Sequence, residues 1–186
     1  MLLYYFLFAF PPIALVSLIL YTPYYFYCRK TRGHMGLPFH LVKYALIGSV
    51  ISLLYLTVLW YWPNISFFPE YRFLNLRPFV WVTEVYAMGT RRMLEQLVTN
   101  IVMFIPYGFL LPTAIRRLRS PWRALGVVLG TTVLIETVQY CIGRSADIDD
   151  VIMNFLGGCL GYALFALCRR AVRSGRSKGS PVKGAD

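Results

Sequence analysis

The chain alternates between long apolar runs and short clusters of charge. Met1 to Tyr27 contains no charged residue, and His40 to Trp62 is apolar apart from Lys43. Gln96 to Ile115 is interrupted only by amides and hydroxyls. Trp122 to Ile142 carries one acid, Glu136, and Val151 to Cys168 carries no charge. Each run is near the ~20 residues a helix needs to cross hydrocarbon, the last being shortest at about 18. The pattern predicts an all-α, polytopic membrane protein with about five transmembrane helices. Pro11-Pro12, in the middle of the first run, is expected to kink it. That run has no positive residues before its apolar core and no clear small-residue cleavage site, so it reads as a span rather than a secretory signal.

Composition agrees with this reading. The 186 residues are 58% hydrophobic and 15% charged, against about 25% charged in a soluble domain. A net charge of +11 in a soluble chain would suggest nucleic acid. Here the basic residues cluster at the ends of apolar runs, and no aromatic residue interleaves the charges of the tail, so no nucleic-acid partner is expected. Arg29, Lys30 and Arg32 form one group; Arg116, Arg117, Arg119 and Arg123 a second; Arg169, Arg170, Arg173, Arg176, Lys178 and Lys183 a third. They fall on alternate connections, which places the N-terminus outside and the C-terminus inside. Against that bias, 63–95 carries Arg72, Arg77, Arg91 and Arg92. The chain divides into a transmembrane domain over 1–168 and a basic cytoplasmic tail over 169–186, expected to be disordered and to rest on anionic lipid.

The acids follow a different rule. Glu70, Glu84, Glu95, Glu136, Asp147, Asp149 and Asp150 fall at or near the outer side, and only Asp186 lies inside. Acids contribute little to orientation, so the asymmetry points to a site at the outer face. On the fifth helix Asp150, Asn154, Gly157 and Gly161 share one face, and the two glycines permit close approach of another helix. On the fourth, Glu136, Gln139 and Thr132 share a face, with Glu136 roughly 9 Å below the outer end. Gly126 and Gly130 form a second small-residue pair, read as a packing seam. On the third, Arg92, Gln96 and Asn100 repeat every four residues, continued inward by Met103 and Tyr107. Pro106 and Gly108 are expected to distort this helix. An intramembrane carboxylate is costly unless neutral, paired or hydrated. The three faces are therefore expected to converge on an outward-facing polar pocket, with Glu136 as its floor and Arg144, Asp147 and Asp150 at its rim.

Three stretches carry a family resemblance: "NLRPF" at 75–79, "NIVMFIPYGFLLP" at 100–112 and "ETVQYCIGRSADIDDVIMNFLGGCLGY" at 136–162. In these the chain resembles the VanZ-like membrane proteins associated with teicoplanin resistance. Arg77 departs from the pattern, since the family more often has an apolar residue before that proline. The resemblance implies a multi-pass protein of the bacterial cytoplasmic membrane. It also implies low-level resistance to teicoplanin, a glycopeptide bearing a fatty acyl chain, without alteration of the cell-wall precursor the drug targets. By position, the family motif falls on Asn100, Pro106, Gly108, Glu136, Gln139, Arg144, Asp147, Asp150, Asn154 and Gly158.

Three functions compete. In the first, the pocket binds a membrane lipid headgroup, a lipoglycopeptide or a lipid-linked wall precursor, with Arg144 and Arg92 holding an anion. This binding role is favoured, with no cofactor. In the second, a membrane enzyme uses Asp147, Asp149 and Asp150 to hold Mg²⁺ or Ca²⁺ and Glu136 as a base. No EF-hand, G-x-S-x-G, H-E-x-x-H or P-loop pattern supports it. In the third, a transporter would need internal repeats that the sequence does not show. Cys28, Cys141, Cys159 and Cys168 have no metal or disulfide spacing and are expected to pack.

Overall fold

Proline and glycine punctuate the helices. The computed structural model describes residues 9–60, 65–66, 73–80 and 90–178, with side chains of the third helix described from Leu94 and those of the fifth as far as Ser174. Helix α1 spans Phe10–Arg32, α2 Leu37–Thr57, α3 Thr90–Ala114, α4 Pro121–Cys141 and α5 Ile148–Lys178. Three of them carry proline in the first turn, at Pro11 and Pro12, Pro38 and Pro121. There the missing N–H removes a donor that has no intrahelical partner. Gly33 and Gly143, at φ 74° and 84°, turn the chain after α1 and α4. A 3₁₀ turn at Arg116–Arg119 links α3 to α4. Two short strands, β1 (Leu74–Asn75) and β2 (Ala146–Asp147), pair in parallel, Leu74 beside Ala146 and Asn75 beside Asp147.

Four helical stretches are long and apolar enough to cross a membrane: Leu37–Thr57, Leu94–Ala114, Pro121–Cys141 and Ile148–Ser174. Their outward faces are apolar. Leu156, Leu160, Leu164 and Leu167 stand exposed along α5, as do Leu129, Val133 and Leu134 on α4 and Val98 and Val102 on α3. A soluble monomer rarely leaves so continuous an apolar surface to water; hydrocarbon removes that cost. The chain is an all-α membrane protein.

Helices α3 and α5 pack most extensively, with α4 against α5 and α2 against α3. Backbones meet at the α3–α5 contact. A Cβ added to Gly157 would stand 2.1 Å from the Ile101 carbonyl oxygen, and one on Gly108 or Gly161 2.2 Å from the carbonyl oxygen of Gly158 or Ile105. Gly158 faces α4, where an added Cβ would stand 2.3 Å from the Val128 Cγ1 methyl. Leu53, Phe104, Tyr107, Leu111, Val128 and Ile135 form the apolar core. Helix α1 packs along α2, where the Tyr44 hydroxyl donates to the Ala14 carbonyl at 2.9 Å.

Several expectations are corrected. Pro11 and Pro12 occupy the first turn of α1 as described; the kink expected there falls at the junction with residues 1–8, which lie outside the described residues. Among the described residues Gly126 and Gly130 meet nothing within 4 Å, so no described helix packs on that face. Helix α3 holds Pro106 and Pro112 in its interior, where each removes a backbone hydrogen bond, and Gly108 also serves the contact with α5. The basic stretch expected to be disordered from residue 169 is helical as far as Lys178; 179–186 lie outside the described residues. The fifth span is correspondingly longer than Val151–Cys168. Arginine and alanine are good helix formers, and cations complement a helix C-terminus, so the onset of charge does not end the helix.

Candidate functional site

The helices place two kinds of chemistry at opposite ends of the bundle. At one end lie the 33–36 turn, the Arg116–Arg119 turn and the C-terminal half of α5, tied by the Tyr162 hydroxyl donating to the Arg119 carbonyl at 2.8 Å. At the other end, the C-termini of α2 and α4 meet the start of α5, the Asn100 level of α3 and the 73–80 segment.

Glu136 is 6% exposed, inside that second end. Its Oε2 accepts the Asp147 backbone N–H at 3.1 Å. Asp147 in turn caps α5: its Oδ1 accepts the Asp149 N–H at 2.9 Å, the bond an N-terminal cap makes to the second helical residue. Asn75 donates to the same carboxylate oxygen at 3.1 Å, so the strand pairing carries a side-chain bond with it. Asn75 Oδ1 accepts from the Arg77 N–H at 3.0 Å, and the Phe79 N–H donates to Asp149 Oδ1 at 2.6 Å. Phe79 adopts φ 65°, an uncommon conformation for a bulky residue, fixed here by that bond. The "NLRPF" segment is thus a strap fastened over the start of α5. Acids at the first turn of α5 also suit its positive dipole end.

Asp150 faces α3 and accepts from Asn100 Nδ2 at 2.6 Å and Gln96 Nε2 at 3.4 Å. Gln139 and Arg144 both reach α2, donating to the Thr57 carbonyl at 2.9 and 2.6 Å. That carbonyl is one of the unpaired acceptors at a helix C-terminus, where cations are favoured. Arg144 is also the cation that acts on Glu136 and Asp150, opposing the repulsion between these acids and Asp147. Asn154 lies one turn below Asp150 and is 2% exposed. Among the described residues two buried acceptors have no hydrogen-bond partner, Gln139 Oε1 and Asn154 Oδ1. A buried polar atom left unpaired costs about 1–3 kcal/mol.

The structure therefore gathers Asn100, Glu136, Gln139, Arg144, Asp147, Asp150 and Asn154 into one layer, with Gly108, Gly157, Gly158 and Gly161 holding the helices together beneath it. The Arg92 side chain lies outside the described ones. Asp147, Asp149 and Asp150 accept from different donors, and among the described residues no group of three His, Cys, Asp or Glu side chains is arranged to hold a metal ion. The sequence reading missed Asn75 and Thr57. Asn75 stood in a quoted motif but carried no helical spacing. Thr57 contributes its main-chain carbonyl, which leaves no signal in residue type.

A membrane-embedded polar layer at the start of the last helix, strapped by a short parallel pairing, defines the class of protein. The chain belongs to the VanZ/LLP1 family, whose model matches residues 46–169. It is similar to Protein VanZ of Enterococcus faecium, with 36% identity over 100 residues. Those residues are 53% of this chain and 56% of that protein, so the chain spans about half the length of the curated relative it matches. No solved structure matches.

Proposed function

We propose that this protein gives low-level tolerance of teicoplanin-type lipoglycopeptides in the bacterial cytoplasmic membrane, by binding the drug or a polar lipid headgroup at the outer surface. One observation carries the reading. Three helices and a strap hold a carboxylate, an arginine and two unpartnered buried acceptors in one layer at one end of an apolar bundle. An amine or hydroxyl donor suits Gln139 Oε1 and Asn154 Oδ1, and Arg144 suits a phosphate or carboxylate. The polar end is outermost because the cations around two helix connections and along the end of α5 gather at the opposite end, where the positive-inside rule puts the cytoplasm.

The test compares two drugs in a susceptible host expressing the protein. Glu136→Gln and Asn154→Ala are expected to remove most of the protection against an acylated glycopeptide and to leave susceptibility to an unacylated one unchanged. Full protection by both variants, at normal membrane abundance, refutes a role for this layer. Equal loss against both drugs refutes recognition of the acylated class.

A further inference from the structure

A second candidate site lies outside the family-matched segment. Between α1 and α2, at the end of the bundle away from Glu136, is a cleft of about 360 Å³. Its lining includes Tyr21, Tyr25, Arg29, His34 and His40. That volume falls within the range of small-molecule sites. The lining supplies donors and positive charge without a carboxylate. The first acid in the chain is Glu70, so no acid lies on α1, on α2 or in the turn joining them. Lys30 and Arg32 follow Arg29 at the end of α1, and Lys43 stands about one turn beyond His40 on α2.

The imidazole of His40 is held in place from two sides. The Tyr21 hydroxyl is hydrogen-bonded to its Nδ1, and the Tyr25 ring stands 5.1 Å from it, centroid to centroid. When Tyr21 donates, Nε2 carries the ring proton and is left to donate elsewhere. Depth is set by the sequence around the cleft. Leu37 opens a candidate span, and the 33–36 turn precedes it, which puts the cleft at headgroup level. Basic pockets between transmembrane helices at that level suit anionic headgroups.

We propose that this cleft binds the phosphate of an anionic phospholipid, with Arg29 and His34 as its charged and polar rim and His40 as a fixed donor within. The site is independent of the polar layer around Glu136. Native mass spectrometry of the full chain released from detergent, after addition of phosphatidylglycerol or phosphatidylcholine, tests it. Phosphatidylglycerol is expected to be retained in preference. Arg29→Gln is expected to weaken that retention about fivefold, the effect of one cation near a headgroup. Because Arg29 is exposed, this variant leaves the packing intact. Arg169→Gln with Arg173→Gln, at the same end of the bundle, is expected to leave retention unchanged. Equal retention of phosphatidylcholine, or no effect of Arg29→Gln, overturns the proposal. Equal loss in the α5 variant reduces it to diffuse charge attraction and also overturns it. Thermal stabilisation by inorganic phosphate as large as that by phosphatidylglycerol assigns the cleft to a soluble anion and overturns the lipid.

Discussion

At the scale of single residues, Glu136 acts as a fastener between helices. It receives the amide of the residue that caps α5, so a carboxylate on one helix fixes where the next begins. Glu136→Gln keeps a carbonyl oxygen for that amide and is expected to preserve the fold. Glu136→Ala orphans the partly buried Asp147 N–H and is expected to cost about 1 kcal/mol, read as a lower unfolding midpoint in detergent and SDS mixtures. Most of this layer was legible in sequence. Asp150 and Asn154, Glu136 and Gln139, and Gln96 and Asn100 each follow a helical repeat, so their shared faces could be read before any coordinates. Asn75 was not legible, because it arrives by a two-residue pairing between segments far apart in the chain. The amino-acid pattern presents Arg144 as a rim cation that holds an anion. The structure gives it the Thr57 carbonyl as well, a partner with no mark in the amino-acid pattern.

At the scale of elements, small residues decide which helices touch. Gly157 and Gly126 look alike in sequence, each opening a G-x-x-x-G. Only the first meets a neighbouring backbone. Gly157→Ala is expected to force α3 and α5 apart and to destabilise by about 1–3 kcal/mol, the cost of overpacking. Gly126→Ala is expected to be neutral or to stabilise by up to about 1 kcal/mol through helix propensity. Thermal unfolding of the two variants side by side checks both. A composition pattern gives the potential for close approach, and the direction of each face in the bundle decides whether it is used. Helix limits show the same division. The apolar runs located all five helices, but charge was a poor guide to where α5 stops, because arginine extends a helix as readily as it ends a span.

At the scale of the whole molecule, the distribution of charge separates the two ends. Tyrosines, histidines and cations crowd one, and the acids, amides and strap occupy the other. With the polar end outermost, a cysteine placed at Ser66 in a cysteine-free variant is expected to react with a membrane-impermeant maleimide on intact cells. One placed at Ser174 is expected to react only after permeabilisation. The reverse pattern inverts the topology and moves the Glu136 layer to the cytosolic leaflet. The overall architecture was legible because five separate runs of suitable length admit few alternatives. The strap was not, since its register depends on α4, α5 and the 73–80 segment assembling together.

The glycine contact between α3 and α5 has a mechanical consequence. Where the glycines meet, no side chain stands between the two helices to compress or rotate, so they are clamped together at that level. A visitor arriving at the hydrophilic end meets two walls joined by Asn100, Gln96 and Asp150 and clamped together below them. Any widening must come from the last turn of α2 or from lifting the Asn75–Phe79 segment, whose grip on α5 consists of a few hydrogen bonds and one short strand pairing.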